Sequence, residues 1–366
     1  MPKTKEAPKS EVEQVKEALL KKSQPNVVPV KDLLGTGATL LNLGCSGKTF
    51  GGLAKGTYNL FVGDTDSGKS LFSRAFMAEA AMNPAFDGYN LIYDDVERAA
   101  LINTARFFGR KAAGRIKLIH STTVEDMYAG IITDLKKGKP FIRVVDSETS
   151  LSCDADVKRA EAVAKKKATG EGEVAGSFGV EKAKAHSQML RQLMGPLKDT
   201  NSILVIVNQT RDNIGFGSQF NPKVRPGGNA LEFYATVQMW SSVRQKLTTT
   251  YKGKQVETGI RSKIKVKRSR LTGRQIEVEI PIYWSSGIDD VGSMVDWLCE
   301  WKHWGGKKGE DDKEIIAPEF DFTGKREALI RMVQADEREP ELQGVVAKVW
   351  EEIESACSIE RKSRYE

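Results

Sequence analysis

Cysteine is scarce in this chain, and the four present, Cys45, Cys153, Cys299 and Cys357, stand far apart with no C-x-x-C pair. That spacing argues against both a zinc site and a disulfide framework. Histidine is scarcer still, with only His120, His186 and His303, so histidine-based metal or acid–base chemistry is a poor expectation. No run approaches the 18 or so apolar residues of a membrane span. The opening MPKTKEAPKS lacks the apolar region of a secretory signal. The expectation is a soluble, cytoplasmic protein with no membrane partner.

What is present is enough for a large core: 366 residues, 40% of them hydrophobic, more than one ordinary domain. The net charge of +7 conceals an asymmetry. From residue 288 onward 12 Lys or Arg face 20 Asp or Glu, a balance of −8; the remaining 44 against 29 leave +15 on residues 1–287. A basic body with an acidic end invites a polyanion on the body, although a merely solvated surface also explains charge.

The chain is organised around residues 63–70, Gly63, Asp64, Thr65, Asp66, Ser67, Gly68, Lys69 and Ser70. Residues 58–62 (YNLFV) read as a short buried strand, and LFSRAFMAEAA from Leu71 has helical spacing. Strand, glycine-bounded loop and helix together turn a G-x-x-x-x-G-K-[ST] string into a nucleotide-phosphate site. Backbone N–H groups and the helix N-terminus meet the phosphates. Lys69 reaches the β- and γ-phosphates, and the Ser70 hydroxyl ligates magnesium. Asp64 and Asp66 are unusual in such a loop, and their carboxylates are expected to point away from the phosphates.

Three further strands end in polar residues. Residues 89–93 lead into Asp94-Asp95-Val96-Glu97, where Glu97 is either the group that orients and deprotonates the attacking water or part of a helix cap. Residues 141–145 deliver Asp146, the expected magnesium partner of a phosphate loop. Residues 202–207 end in Asn208-Gln209. Two segments look like loops with a task. Residues 153–180 carry Lys158, Arg159, Lys165, Lys166 and Lys167 with little to bury; a solvated loop and a nucleic-acid loop both fit. Residues 210–228 combine glycines, among them Gly215, Gly227 and Gly228, with Arg211, Lys223, Arg225, Phe216 and Phe220, and run on into Asn229. Mobile backbone, cations and a few rings suit a loop that grips phosphates and wedges between bases without reading sequence. Strands at 237–244 and 263–267, joined through TTTYKGKQVETG, precede Arg268-Ser269-Arg270 and a strand at 274–284; acidic helices close the chain. Ahead of all this, Ser10 and Glu13 form a capping box for an amphipathic helix that docks on its own domain or on a neighbour.

This series, with NQTRDNIGF and GGNALEFYA following it and VVDSETSL before it, strongly resembles the RecA family of recombinases, including its phage type, over about nine-tenths of the chain. The resemblance implies an α/β, RecA-like ATPase core with a mostly parallel sheet at 46–287. It also implies an N-terminal polymerisation helix and linker at 1–45 and a small acidic C-terminal domain at 288–366. It implies a DNA-dependent ATPase using ATP and Mg2+, with Glu97 as catalytic carboxylate, Gln209 as γ-phosphate sensor, and Arg268 and Arg270 reaching ATP across a subunit interface. Residues 153–180 and 210–228 become the DNA-binding loops. The implied partners are single-stranded DNA, homologous duplex, further copies in a helical filament, and single-strand-binding and loader proteins. The implied function is homologous pairing and strand exchange; the alternatives are a hexameric helicase on the same core and an ATP-binding mediator. The chain departs from the family at Glu232, often Lys, and at Thr104, where bacterial members place an aromatic against adenine. It ends in SIERKSRYE rather than a strongly acidic tail.

Overall fold

The computed structural model describes residues 28–98, 103–169, 180–212, 223–305 and 314–359, with residues 361 and 364. The expected N-terminal helix, and Gly215, Phe216 and Phe220, lie outside them.

ILVIV is apolar at every position, and NLFV and FIRVV are interrupted only by Asn59 and Arg143, so these stretches need cover on both faces, as in the middle of a parallel sheet. That is where they sit. The described residues form a nine-stranded sheet. Its strands are β1 (Thr57–Gly63), β2 (Asn90–Asp95), β3 (Ile116–Ile119), β4 (Phe141–Asp146), β5 (Ile203–Gln209), β6 (Val237–Tyr251), β7 (Lys254–Ser269), β8 (Ile276–Tyr283) and β9 (Gly287–Ile288). The order is β9-β8-β7-β6-β1-β5-β4-β2-β3, parallel from β6 to β3 and antiparallel from β6 to β9. The expected α/β architecture with a mostly parallel sheet is therefore what the chain adopts.

Alternation along each strand sends side chains to opposite faces. Phe61, Ile142, Val144, Val205 and Val207 enter one apolar cluster; Leu60, Val62, Val145, Leu204 and Ile206 enter the other. The first face is covered by α1 (Thr39–Ser46), α2 (Lys69–Met82) and α3 (Thr104–Arg115). The second is covered by α4 (Val124–Lys136), α6 (Val180–Asp199) and α7 (Ala230–Tyr234), with α5 (Asp154–Thr169) preceding α6 in the chain. Helices α8 (Asp290–Glu300), α9 (Arg326–Ala335) and α10 (Glu339–Ala356) bury Met294, Leu298, Ile330 and Val346 in the same cluster as Val266 and Ile280 of β7 and β8.

Two stretches differ from the sequence expectation. Residues 154–169 form a helix rather than an unstructured loop. Its alanines and lysines favour helix intrinsically, but it presents no apolar stripe by which a sequence pattern would reveal it. The supposed connection TTTYKGKQVETG is itself strand: β6 and β7 pair from Val237–Ser269 out to Tyr251–Lys254. Only Lys252 and Gly253 turn, both at positive φ (48° and 76°), as a two-residue hairpin with matched twist requires. Beyond Gly259 strand β7 has no pairing with β8, so the outer part is a two-stranded ribbon.

Candidate nucleotide and DNA site

Because β1, β5, β4 and β2 are parallel neighbours, their carboxyl ends meet on one edge; Gly63 pairs with Gln209, and Asp95 with Asp146. That edge is where ligands bind in open α/β sheets. Gly63 closes β1, and the loop turns through Asp66 and Gly68 at φ 58° and 92° before Lys69 opens α2. A side chain at Gly68 would also run into Ile282 of β8. Ser67 is buried and bonds Ser241 of β6 at 2.7 Å, and its carbonyl accepts from Ser262 of β7 at 2.8 Å. The loop is thus moored to β6 and β7, with Thr65 and Asp66 left exposed.

Lys69 donates to the Asp64 carbonyl. Burial draws its pKa down, against the pull of Asp146, Asp64, Glu97 and Asp66. The Asp64 carboxylate does turn outward: one oxygen accepts from Thr210 Oγ1 at 2.6 Å and the other pairs with Lys223 Nζ at 2.5 Å. Asp146 is nearly buried and bonded by Tyr93 OH at 2.5 Å and by the Ser70 hydroxyl; burial raises its pKa, and those two bonds oppose the rise. A hydroxyl beside a buried carboxylate suits magnesium, which takes few protein ligands and keeps water and phosphate oxygens. The described residues hold no cluster of three or more acidic, His or Cys ligands for a caged metal.

In the acidic run after β2, Asp94 is committed to structure: it is buried against Arg143 at 2.6 Å and Ser121 at 2.6 Å. Glu97 is free of that duty. Its Oε1 accepts from Ser147 Oγ (2.6 Å), Ser150 Oγ (3.1 Å) and Gln209 Nε2 (2.7 Å). The two hydroxyls were overlooked in the sequence, although SETS directly after Asp146 was the available signal.

The other singled-out residues divide. Arg268 and Arg270 donate to the carbonyls of Glu232 and Phe233. Arg268 lies level with Gln238 and hence Leu60, three residues short of Gly63, about 10 Å at strand rise. The fold does not bring this pair to the phosphate loop of its own chain. Arg225 is turned inward onto Glu232 (3.1 Å) and the carbonyls of Pro226 and Gly228 (both 2.7 Å), its side chain 3% exposed. Here it is a clamp closing the second segment. Arg211 and Lys223 stand in a short hairpin, Arg211–Asp212 with Lys223–Val224. Lys165 is exposed on α5, and Lys166 and Lys167 follow it there. Asn229 precedes α7. Gly228, at φ 75°, packs so tightly on α6 that a Cβ would lie 2.6 Å from that of Ala183.

Thr104 is taken up by Arg74 (2.9 Å). Beside Lys69 and Ser70 lies a cleft of about 410 Å³ walled by Leu71, Phe107, Ile260, Ile282, Tyr283 and Trp284. Its aromatic end, at YW closing β8, was not recognised in the sequence.

A phosphate loop at the carboxyl edge of a mostly parallel sheet, with an antiparallel extension beyond β6, defines a phosphate-loop protein with a RecA-like core. The model of the RecA N-terminal domain matches residues 7–289, and the chain belongs to the RecA family of recombinases. Protein RecA of Geobacter metallireducens is 29% identical over 283 residues, covering 77% of this chain and 75% of that protein. Protein RecA of Symbiobacterium thermophilum is 28% identical over 267 residues (72% and 68%), and that of Bdellovibrio bacteriovorus 30% over 271 (73% and 64%). The family acts in homologous recombination; its members are DNA-dependent ATPases that bind ATP with magnesium and form filaments on DNA.

Proposed function

We propose that this chain is an ATP-dependent recombinase of the cytoplasm that assembles on single-stranded DNA and exchanges strands with homologous duplex. The observation that carries the reading is the 2.7 Å bond between Gln209 and Glu97. It joins the residue from which the second loop departs to the carboxylate placed to act on water, so nucleotide state and loop position share one contact.

In this reading residues 63–70 cradle the triphosphate, and Lys69 exchanges the Asp64 carbonyl for phosphate oxygens. Ser70 and Asp146 would hold magnesium, which would supply charge neutralisation to the phosphates when bound. Glu97, oriented by Ser147, Ser150 and Gln209, positions the attacking water and takes its proton. The cleft at Phe107 and Trp284 offers the base a ring to lie against, in place of Thr104. Arg268 and Arg270 leave the Glu232 and Phe233 carbonyls to reach ATP on the adjacent copy. Arg211, Lys223, Lys165, Lys166 and Lys167 supply phosphate contacts to DNA. The N-terminal helix joins one copy to the next, and loader and single-strand-binding proteins are its expected helpers.

Strand exchange between a circular single strand and its linear duplex, with ATP and magnesium, tests this. Wild type is expected to give joint molecules and Lys69→Ala none. Duplex unwinding without homology in place of exchange would sink the reading in favour of a motor.

A further inference from the structure

The segment after β4 contains a buried carboxylate that no step above uses. Glu148 has no exposed surface, and neither do His186 and Asn208 around it. Its Oε1 accepts from Lys182 Nζ (2.8 Å) and from His186 Nε2 (2.7 Å); its Oε2 accepts from Asn208 Nδ2 (2.6 Å). His186 is held from its other side by Tyr128 OH at 3.0 Å. Taking a carboxylate out of water is costly, and an apolar residue commonly fills such a place with no loss of stability. A fully paired ionic group there points to a demand for one particular geometry.

The partners show what is being fixed. Towards the nucleotide, Glu148 holds Asn208, whose Oδ1 accepts from Thr149 Oγ1 (2.8 Å). That same Thr149 oxygen accepts from the Gln209 N–H (2.9 Å), and Gln209 meets Glu97. Towards the two DNA segments, Lys182 on α6 also donates to the carbonyls of Glu148 (2.8 Å) and Leu151 (2.9 Å). It thereby joins the two ends of residues 153–180. Asn208 Nδ2 also reaches the Pro226 carbonyl (3.2 Å), and a Cβ at Gly227 would lie 3.4 Å from both Glu148 oxygens.

We propose that Glu148 is a positioning residue that sets Gln209 through Asn208 and ties it to the feet of both DNA-binding segments, so that it carries the effect of single-stranded DNA to the ATP site and back. This rests on the recombinase reading above. Such coupling is reciprocal: whatever factor DNA applies to nucleotide binding, nucleotide applies to DNA binding.

The test uses full-length protein and a dT oligonucleotide. Two readouts are compared in wild type, Glu148→Gln and the charge-balanced Glu148→Gln/Lys182→Gln, which keeps the site neutral should the single variant fail to fold. The first is ATP turnover with and without oligonucleotide. The second is oligonucleotide affinity with a non-hydrolysable ATP analogue against ADP. The variants are expected to keep basal turnover and KM for ATP within about twofold, and to lose DNA stimulation by about tenfold. The affinity ratio between the two nucleotides should collapse toward one. Adding Glu148→Gln to Gln209→Ala should cost no further stimulation, as for two residues on one path. Full stimulation and an unchanged ratio in folded variants, or additive losses in the double variant, overturn the role of Glu148 alone. A wild type whose turnover ignores the oligonucleotide overturns the recombinase reading and this proposal with it.

Discussion

At the scale of single residues, Glu97 separates binding from chemistry. It receives three hydrogen bonds on one oxygen, which fixes its direction without burying it. Glu97→Gln preserves shape and removes the base, and a positioned base is worth about 10²–10⁴ in rate. Phosphate release is expected to fall by at least about 100-fold, while oligonucleotide binding in the presence of ATP, read by fluorescence anisotropy, stays within a fewfold of wild type. Turnover close to wild type would remove Glu97 from the catalytic role. Lys69, Ser70, Asp146 and Gln209 were all legible because each stands at the end of an apolar strand or in a fixed motif. Glu148 was not, since a carboxylate one residue past Ser147 gives no sign in sequence that Lys182 and His186 converge on it.

Elements were legible where burial wrote a pattern. β1, β4 and β5 are buried almost end to end, and their middles are mostly apolar because both their faces are covered. The outer halves of β6 and β7 are exposed on both faces, so nothing marked them as strand, and the alanine- and lysine-rich α5 was hidden likewise. Junctions between elements carry their own test. Asp290, at the start of α8, accepts from the Thr39 N–H and hydroxyl, both at 2.7 Å, and so secures the first turn of α1. Burial pushes its pKa up to about 6. The folded value exceeds the unfolded one, so this group's contribution is greatest below the ordinary carboxylate range and is lost as pH rises through about 6. Between pH 7 and 5, wild type should therefore gain melting temperature relative to Asp290→Asn. Parallel melting curves for the two proteins across that window would show that Asp290 titrates normally.

For the whole molecule the governing quantity is charge. The +15 carried by residues 1–287, 44 basic against 29 acidic, faces a −8 end, and in the proposed reading the DNA-segment cations meet phosphates rather than base edges. Oligonucleotide affinity should then fall steeply with salt, the logarithm dropping about 0.7 per phosphate neutralised for single strands, and dT and mixed sequences should differ only a fewfold. A shallow salt slope with strong sequence preference would point to direct base recognition instead. The placement of Asp64 adds a consequence. Thr210 and Lys223 flank residues 213–222, and both are held by the two oxygens of that one carboxylate. Beside the Arg211–Val224 and Asp212–Lys223 pairing, one carboxylate thus moors both sides of the segment, and it stands inside the phosphate loop. Neutralising it would remove a mooring on both sides at once, whereas trimming Thr210 or Lys223 would remove one and leave the other fastened.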